Sequence, residues 1–340
     1  MLPYSKLSCL GRSRGLLKSP LQKQTSLRFF MRNKDINSSG KSKRLEIAPR
    51  VEPHGGMSDV SFKKLLKPLA FTVVFSAGSF AGCAIWQYEN MLTRAQQFAQ
   101  RSQDMYTDRF PRYKFSSLRQ RVNRVWNSLS EGQKVTTAII GINALVFLAW
   151  KIPRFQPAMA KWFCSNPASK AMCLPMVLSS FSHFSVWHLA ANMYVLWTFS
   201  TTIVNILGKE QFLAMYLSAG VISSLASYLH KTAIVRPGLS LGASGAIMSV
   251  LGSVCTQIPQ AQLAILFLPW FSFTASSGIK AVLALDTAGV MLGWRVFDHA
   301  AHLGGCLFGI WYVKYGSDLI WKRREPLMSQ WHAFRQRPRS

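Results

Sequence analysis

At 340 residues and 49% hydrophobic, the chain has room for two soluble domains or for one polytopic membrane domain with extensions. Its 40 Lys+Arg against 13 Asp+Glu give a net charge of +27, which in a soluble protein would suggest nucleic acid. The distribution excludes that class: fifteen of the basic residues lie in 1–67, nine in 89–134 and six in 317–340, so they flank apolar stretches instead of lining a groove, and no zinc-finger spacing or RNP-like motif is present.

Residues 1–34 hold eight Lys/Arg and five Ser, and the first acid is Asp35. That is the composition of a mitochondrial transit peptide. A secretory signal would need an unbroken apolar region after its basic start, and Arg12 and Arg14 interrupt the only candidate. We assign 1–55 to a transit peptide and a basic disordered segment.

Residues 68–88 carry no charge and are long enough to cross a bilayer as a helix, with Trp86 and Tyr88 at one end as interfacial aromatics. From 89 to 134 the chain turns polar and basic. Phe115, Leu118, Val122 and Val125 recur at three- and four-residue steps, which predicts a helix lying on the membrane surface. Region 56–134 is therefore read as one extra transmembrane helix followed by a basic amphipathic linker.

Six apolar spans then crowd together at 135–152, 187–207, 211–229, 243–257, 278–294 and 299–316. Between the fourth and fifth lies AQLAILFLP (261–269), too short to span and expected to be buried or interfacial. Residues 317–340 read as a basic C-terminal tail. The fold class is an all-α polytopic membrane protein, a six-helix core over 135–316 with one additional N-terminal transmembrane helix. No internal repeat is visible.

The six cysteines form no CxxC pair and no metal-ligand spacing, so no cofactor or metal is assigned. Cys83, Cys255 and Cys306 fall in apolar spans as small hydrophobes. Cys164 and Cys173, nine apart in one loop, are read as unbridged thiols.

Ionisable and amide groups inside a membrane are costly and point to function. The span-like regions carry His188 and Asn192 in HLAAN, Ser244 in SLGASGAIMSV, Asp286, and His299 and His302 in FDHAAHLGG. His188 and Asn192 share one helix face. Ala301, Gly305 and Gly309 recur every four residues, a close-packing stripe whose natural partner is the equally small set Gly242, Ala243, Gly245 and Ala246. A serine among glycines, a histidine on a second helix and a His/Asn face on a third compose a possible nucleophile, base and oxyanion donor. No H-E-x-x-H string supports a metalloprotease. No pair of span carboxylates supports an aspartyl protease. No repeat supports a transporter. On spacing alone, a channel or scaffold in which these are packing residues stays open.

Three segments, SHFSVWHLAANMYVL (182–196), LGASGAIMSVLG (241–252) and FDHAAHLGGCLFGIWY (297–312), together resemble the rhomboid intramembrane serine proteases. With the basic start and a span ahead of the six, the layout is similar to their mitochondrial, presenilin-associated rhomboid-like subfamily. The resemblance is specific over 135–316 and covers only general layout before it. It implies that Ser244 is the nucleophile and His302 its general base and acid. It also implies that His188, Asn192 and the backbone N–H of Ser244 stabilise the oxyanion, and that Gly245 leaves room beside the scissile carbonyl. The partners implied are the lipid bilayer and single-span membrane substrates, in a multi-pass protein of the mitochondrial inner membrane. A catalytically inactive rhomboid-like binder is the alternative. Two positions depart from the family pattern: Met248 stands where many members place an aromatic ring beneath the histidine, and the first core loop has Trp162–Phe163 where the family has Trp-Arg. Asp298, four residues before His302, is read as an anchor of the helix end and not as a third catalytic member.

Overall fold

The computed structural model describes residues 61–107, 117–265 and 268–337. The transit-peptide expectation for 1–34 lies outside them.

Helix α1 (Leu66–Thr107) begins where the sequence expects a span but does not stop at Tyr88. Residues 89–107 are rich in Ala, Gln, Arg, Glu and Met, strong helix formers with no proline or glycine among them, so the helix carries on. Its 42 residues run for about 63 Å, twice the roughly 30 Å of a bilayer's hydrocarbon core. The first half of the expected linker is thus a rigid continuation of the span. Helix α2 (Ser117–Ser128) forms where the three- and four-residue periodicity predicts one, and Leu118, Val122, Val125 and Trp126 stay exposed along it.

Helix α3 (Glu131–Trp150) opens with a capping box: Ser130 Oγ accepts from Gln133 N–H at 3.1 Å and Gln133 Oε1 accepts from Ser130 N–H at 2.9 Å. The following loop contains two short helices, α4 (Gln156–Trp162) and α5 (Cys173–Leu178). Trp162 and Phe163 end α4, and Phe163 packs on a buried cluster of Trp150, Met159 and Cys164. Cys164 and Cys173 are both free thiols, as expected. Helices α6 (Val186–Leu207) and α7 (Lys209–Ala233) are joined at Gly208 alone, whose φ of +82° lets the chain reverse.

Helix α8 (Ser244–Gln257) is followed by a two-stranded antiparallel hairpin, β1 (Gln262–Ile265) and β2 (Leu268–Thr274). The described residues are mostly helical, as expected, and this short hairpin is the exception. The 261–269 segment is too short to span, and its continuation through Trp270, Phe271 and Phe273 has the aromatic character of a strand. Helix α9 (Ala275–Leu292) is capped by Thr274 and ends at Gly293 in the left-handed region, φ +67°. Helix α10 (His299–Trp311) continues as a π-helical stretch over Tyr312–Trp321, and α11 (Glu325–Arg335) follows. The expected basic tail is therefore largely ordered. Its α11 turns back onto α1, where Trp331 Nε1 donates to Glu89 Oε1 at 2.8 Å and Arg335 Nε lies 3.3 Å from the same oxygen.

Four described helices are long and apolar enough to cross a membrane: Phe62–Ser102, Glu131–Trp150, Lys209–Ala233 and Ala275–Leu292. Helix α7 is the hub: 67% of its apolar window is buried, against 22–28% in the other three. One side of α7 receives α1 and the turn just before it, through Leu65, Phe71 and Phe75 against Val221, Leu225 and Tyr228. The other side receives α8 and α10.

Those two helices touch backbone to backbone. A Cβ on Gly305 would sit 2.0 Å from Gly245 O, and one on Gly309 would sit 2.1 Å from Ser249 O. The Ala301/Gly305/Gly309 stripe does face the small residues of α8, although lower down than expected, against Gly245 and Ser249. Gly245 also has a packing role. A Cβ there would meet Ser223 Oγ of α7 at 2.3 Å, so its bareness serves helix packing.

Gly305→Ala and Gly309→Ala should each destabilise the core by about 1–3 kcal/mol or more, because backbone carbonyls cannot step aside as a side chain can. Gly141→Ala, where a Cβ meets nothing within 4 Å, should be neutral or slightly stabilising. Thermal unfolding in detergent checks this, and equal melting of all three variants would refute the close-contact account.

Candidate active site

Ser244 is the first residue of α8, and the segment before it is pinned from outside the helix. Ser240 and Ser165 exchange backbone hydrogen bonds, both 2.9 Å, and Gly242 N–H donates to Ser179 O at 2.9 Å. Gly242 is glycine for two reasons. Its φ is +129°, and a Cβ would lie 2.9 Å from His188 Cε1 and 3.7 Å from Ser244 Oγ. The chain thus enters α8 held by the 151–185 loop. Ser244 Oγ and the unpaired N–H groups of the first turn sit together at the positive end of the helix dipole.

His302 lies in the first turn of α10, and its Nε2 is 2.9 Å from Ser244 Oγ. The glycine contact between α8 and α10 lies one turn further on, so it fixes this separation. Behind the ring stands Asp286 of α9. Its Oδ1 is 3.4 Å from His302 Nδ1 and 2.7 Å from His299 Nδ1. The sequence reading singled out Asp286 as a lone span carboxylate but gave it no partner and no role. Phe297 tilts over His302 at a centroid distance of 5.9 Å. Met248 packs with Cys255, Ala275, Ile279 and Cys306, so the carboxylate behind His302 and the ring over it restrain the imidazole instead.

Asp298 anchors the start of α10, as expected. Its Oδ1 accepts from Ala301 N–H at 3.1 Å; its Oδ2 takes Lys231 Nζ at 3.0 Å, Ser227 Oγ at 2.5 Å and Ser240 Oγ. Burial would raise this carboxyl, but Lys231 and the two hydroxyls outweigh it and hold it well below the usual carboxylate range. The latch joins the end of α7, the segment leading to Ser244 and the base of the His302 helix.

His188 and Asn192 share one face of α6, as their spacing requires. His188 is beside Gly242 and so beside Ser244. Asn192 is buried, and its Nδ2 lies 2.9 Å from His183 Nε2, so His183 takes one of its two N–H bonds. His183 is wholly buried, meets the His188 ring edge-on at 4.9 Å and accepts weakly from Ala243 N–H at 3.4 Å. Burial, with His188 adding to it, lowers His183 to about 3, so the ring is neutral and Nε2 is an acceptor. The sequence reading missed His183. It lies in the loop ahead of α6, where a search for polar residues within spans does not reach. The signal was its place five residues before His188, in the same SHFSVWHLAAN stretch.

The structure therefore brings Ser244, His302 and His188 together, with Asn192 joined to them through His183. Asp286, His299 and His302 are the described residues whose ligand atoms, all within 4.8 Å of one another, suit a metal ion.

Comparison with known proteins bears on the family. The Rhomboid domain family matches residues 170–318. The presenilin-associated rhomboid-like protein, mitochondrial, of Rattus norvegicus is 55% identical over 306 residues, 89% of this chain and 81% of the relative. Rhomboid protein 1, mitochondrial, of Saccharomyces cerevisiae is 36% identical over 197 residues, 55% of each chain. The rhomboid protease GluP of Bacillus subtilis is 31% identical over 137 residues, 40% of this chain and 24% of the relative.

His183→Phe keeps a ring in place but leaves the Asn192 amide and Ala243 N–H unpaired, and should cost about 1–3 kcal/mol of stability. His183→Gln, which retains an acceptor, should lose less. If the Phe variant melts with the wild type in detergent, the His183–Asn192 bond does not support the site.

Proposed function

The chain belongs to the rhomboid family, and from that premise we propose that it is an intramembrane serine protease working with a Ser244–His302 dyad. The observation that carries this reading is the 2.9 Å approach of His302 Nε2 to Ser244 Oγ between two apolar helices, with a carboxylate behind the imidazole.

In this mechanism His302 Nε2 takes the Ser244 proton as Oγ attacks the scissile carbonyl. The imidazolium then delivers that proton to the leaving amine. Water, activated by the same nitrogen, hydrolyses the acyl-enzyme and frees Ser244. The oxyanion accepts hydrogen bonds from the Ser244 N–H, His188 and the second N–H of Asn192, in the field of the α8 N-terminus. Asp286 faces His302 Nδ1, favours the tautomer with its proton there and steadies the imidazolium that forms.

A helix of 14 residues is about 21 Å long, shorter than the roughly 30 Å hydrocarbon core, so Ser244 lies below the membrane surface when Gln257 is near the opposite one. Substrates are then membrane-spanning helices of other proteins. An intact helix shields its carbonyls, so substrate segments with Gly, Ser or other helix-weakening residues near a small residue at the cut are the ones that unwind into the site. The names of the relatives and the apolar helices support a mitochondrial multi-pass membrane protein, which we assign to the inner membrane, and the basic, Ser-rich start supports import by a presequence. We read α1 as the extra span and α3, α6, α7, α8, α9 and α10 as the six-helix core.

Purified protein should cleave a model single-span substrate. Ser244→Ala and His302→Ala should each abolish cleavage, and the double variant should be no worse than either, because nucleophile and base act as one unit. Ser244→Ala that stays folded and still cuts would end this assignment and favour an inactive binder or a different nucleophile.

His188→Ala and Asn192→Ala should each slow cleavage by roughly 10- to 1000-fold while the core stays folded. Wild-type rates in both would leave the oxyanion to backbone donors alone.

A further inference from the structure

We propose that Asp286, His299 and His302 form an inhibitory site for a divalent transition-metal ion of the zinc type. The inference rests on the reading of His302 as general base and assigns a regulator to that same residue.

Three observations support it. First, the donor set is two imidazole nitrogens and one carboxylate oxygen. That suits zinc and is poor for magnesium or calcium, which require mostly oxygen ligands. Second, the donor atoms already converge. Both Nδ1 atoms point at Asp286 Oδ1, at 2.7 Å from His299 and 3.4 Å from His302, and all three lie within 4.8 Å of one another. Tetrahedral zinc with bonds of about 2.0–2.1 Å sets neighbouring ligand atoms about 3.3 Å apart, so a small spreading of the trio admits the ion. Third, the two imidazoles share one carboxylate oxygen unequally, His299 at 2.7 Å and His302 at 3.4 Å. A cation between the three groups relieves the competition and offsets the buried negative charge.

His302 is the only one of the three that touches Ser244, and it would bind metal through the nitrogen facing away from it. A metal on Nδ1 displaces the Nδ1 proton or selects the tautomer that has none there. The neutral, metal-bound ring then carries its hydrogen on Nε2. In that form Nε2 donates to Ser244 Oγ and has no lone pair to accept the serine proton. Inhibition follows without blocking substrate entry. Three protein ligands leave the fourth position to a water, as in open zinc sites. The site borders the dyad, so the ion arrives by the route that water must take to Ser244. The ligands come from α9 and α10, thirteen and three residues apart, a spacing that no local sequence motif for zinc contains.

Binding is measured on full-length Ser244→Ala protein, so the result does not depend on proteolysis. Equilibrium dialysis with zinc chloride should give one tightly held ion per chain, and zinc-edge X-ray absorption should show nitrogen and oxygen ligands with two imidazoles. His299→Gln and Asp286→Asn placed in the same background should weaken binding by at least about 10-fold. In the active protein, zinc should stop cleavage of a single-span substrate and a chelator should restore it. His299→Gln, compared with its own metal-free rate, should need at least about 10-fold more zinc, and magnesium should do nothing. The spectrum of the unvaried site stands even if a variant fails to fold. Sulfur among the ligands, no bound zinc, or a His299→Gln enzyme inhibited at the wild-type concentration would overturn the proposal. An unvaried protein that binds zinc through two imidazoles but never cuts would instead count against the protease reading alone.

Discussion

The contact of α8 with α10 through bare backbone is the constraint on which the rest depends. Gly305 lies against Gly245 O, and Gly309 lies against Ser249 O, at separations no side chain permits. In lipid no hydrophobic gain draws two apolar helices together, so dispersion between closely fitted surfaces must do it. That fit holds Ser244, at the head of α8, 2.9 Å from His302, in the first turn of α10. The Ser244–His302 pair, made by two separate helices, is only as well placed as their interface. Here the interface is rigid because it is made of backbone.

The second requirement is that the buried carboxylates and the Asn192 amide around Ser244 find partners. Asp286 is answered by His299 and His302, and Asn192 by His183. Asp298 is answered by Lys231, two hydroxyls and the first turn of α10. These bonds have a positional effect beyond their energy. The Asp298 latch ties together α7, the approach to Ser244 and the base of the His302 helix, and the Ser165–Ser240 bridge fixes the same approach from the loop side. Ser244 is therefore held from before and behind, which is what a preorganised nucleophile needs.

Much of this was legible in the sequence because it is written in local patterns. Uncharged runs located the apolar helices, four-residue spacing of small residues located the α10 stripe, the rarity of ionisable and amide groups in spans singled out His302, His188 and Asn192, and its setting among glycines singled out Ser244. What was not legible depends on contacts between distant elements. Asp286 faces His302 only because α9 packs beside α10 at a particular rotation, and nothing in a lone carboxylate indicates that. His183 escaped notice because it is buried by a loop and not by a span. The packing role of Gly245 was not legible because its neighbour, Ser223, lies on another helix. Helix α1 outran its apolar segment since hydropathy marks where lipid ends and helix propensity marks where the helix ends. The hairpin at 262–274 was obscured because a short apolar run has no periodicity that separates strand from buried helix.

Chemistry below a membrane surface requires a nucleophile that is aimed, a base that is oriented and an anion site that costs no rearrangement. In the proposed mechanism the helix N-terminus, Asp286 and the α6 face supply these from three different elements that converge on one serine. The most direct test of that convergence is labelling with a fluorophosphonate, which reacts only with an activated serine, followed by peptide mapping. The account predicts a single modified residue, Ser244, and loss of the label in His302→Ala protein that remains folded. Label on Ser240 or Ser249, or undiminished label without His302, would contradict it.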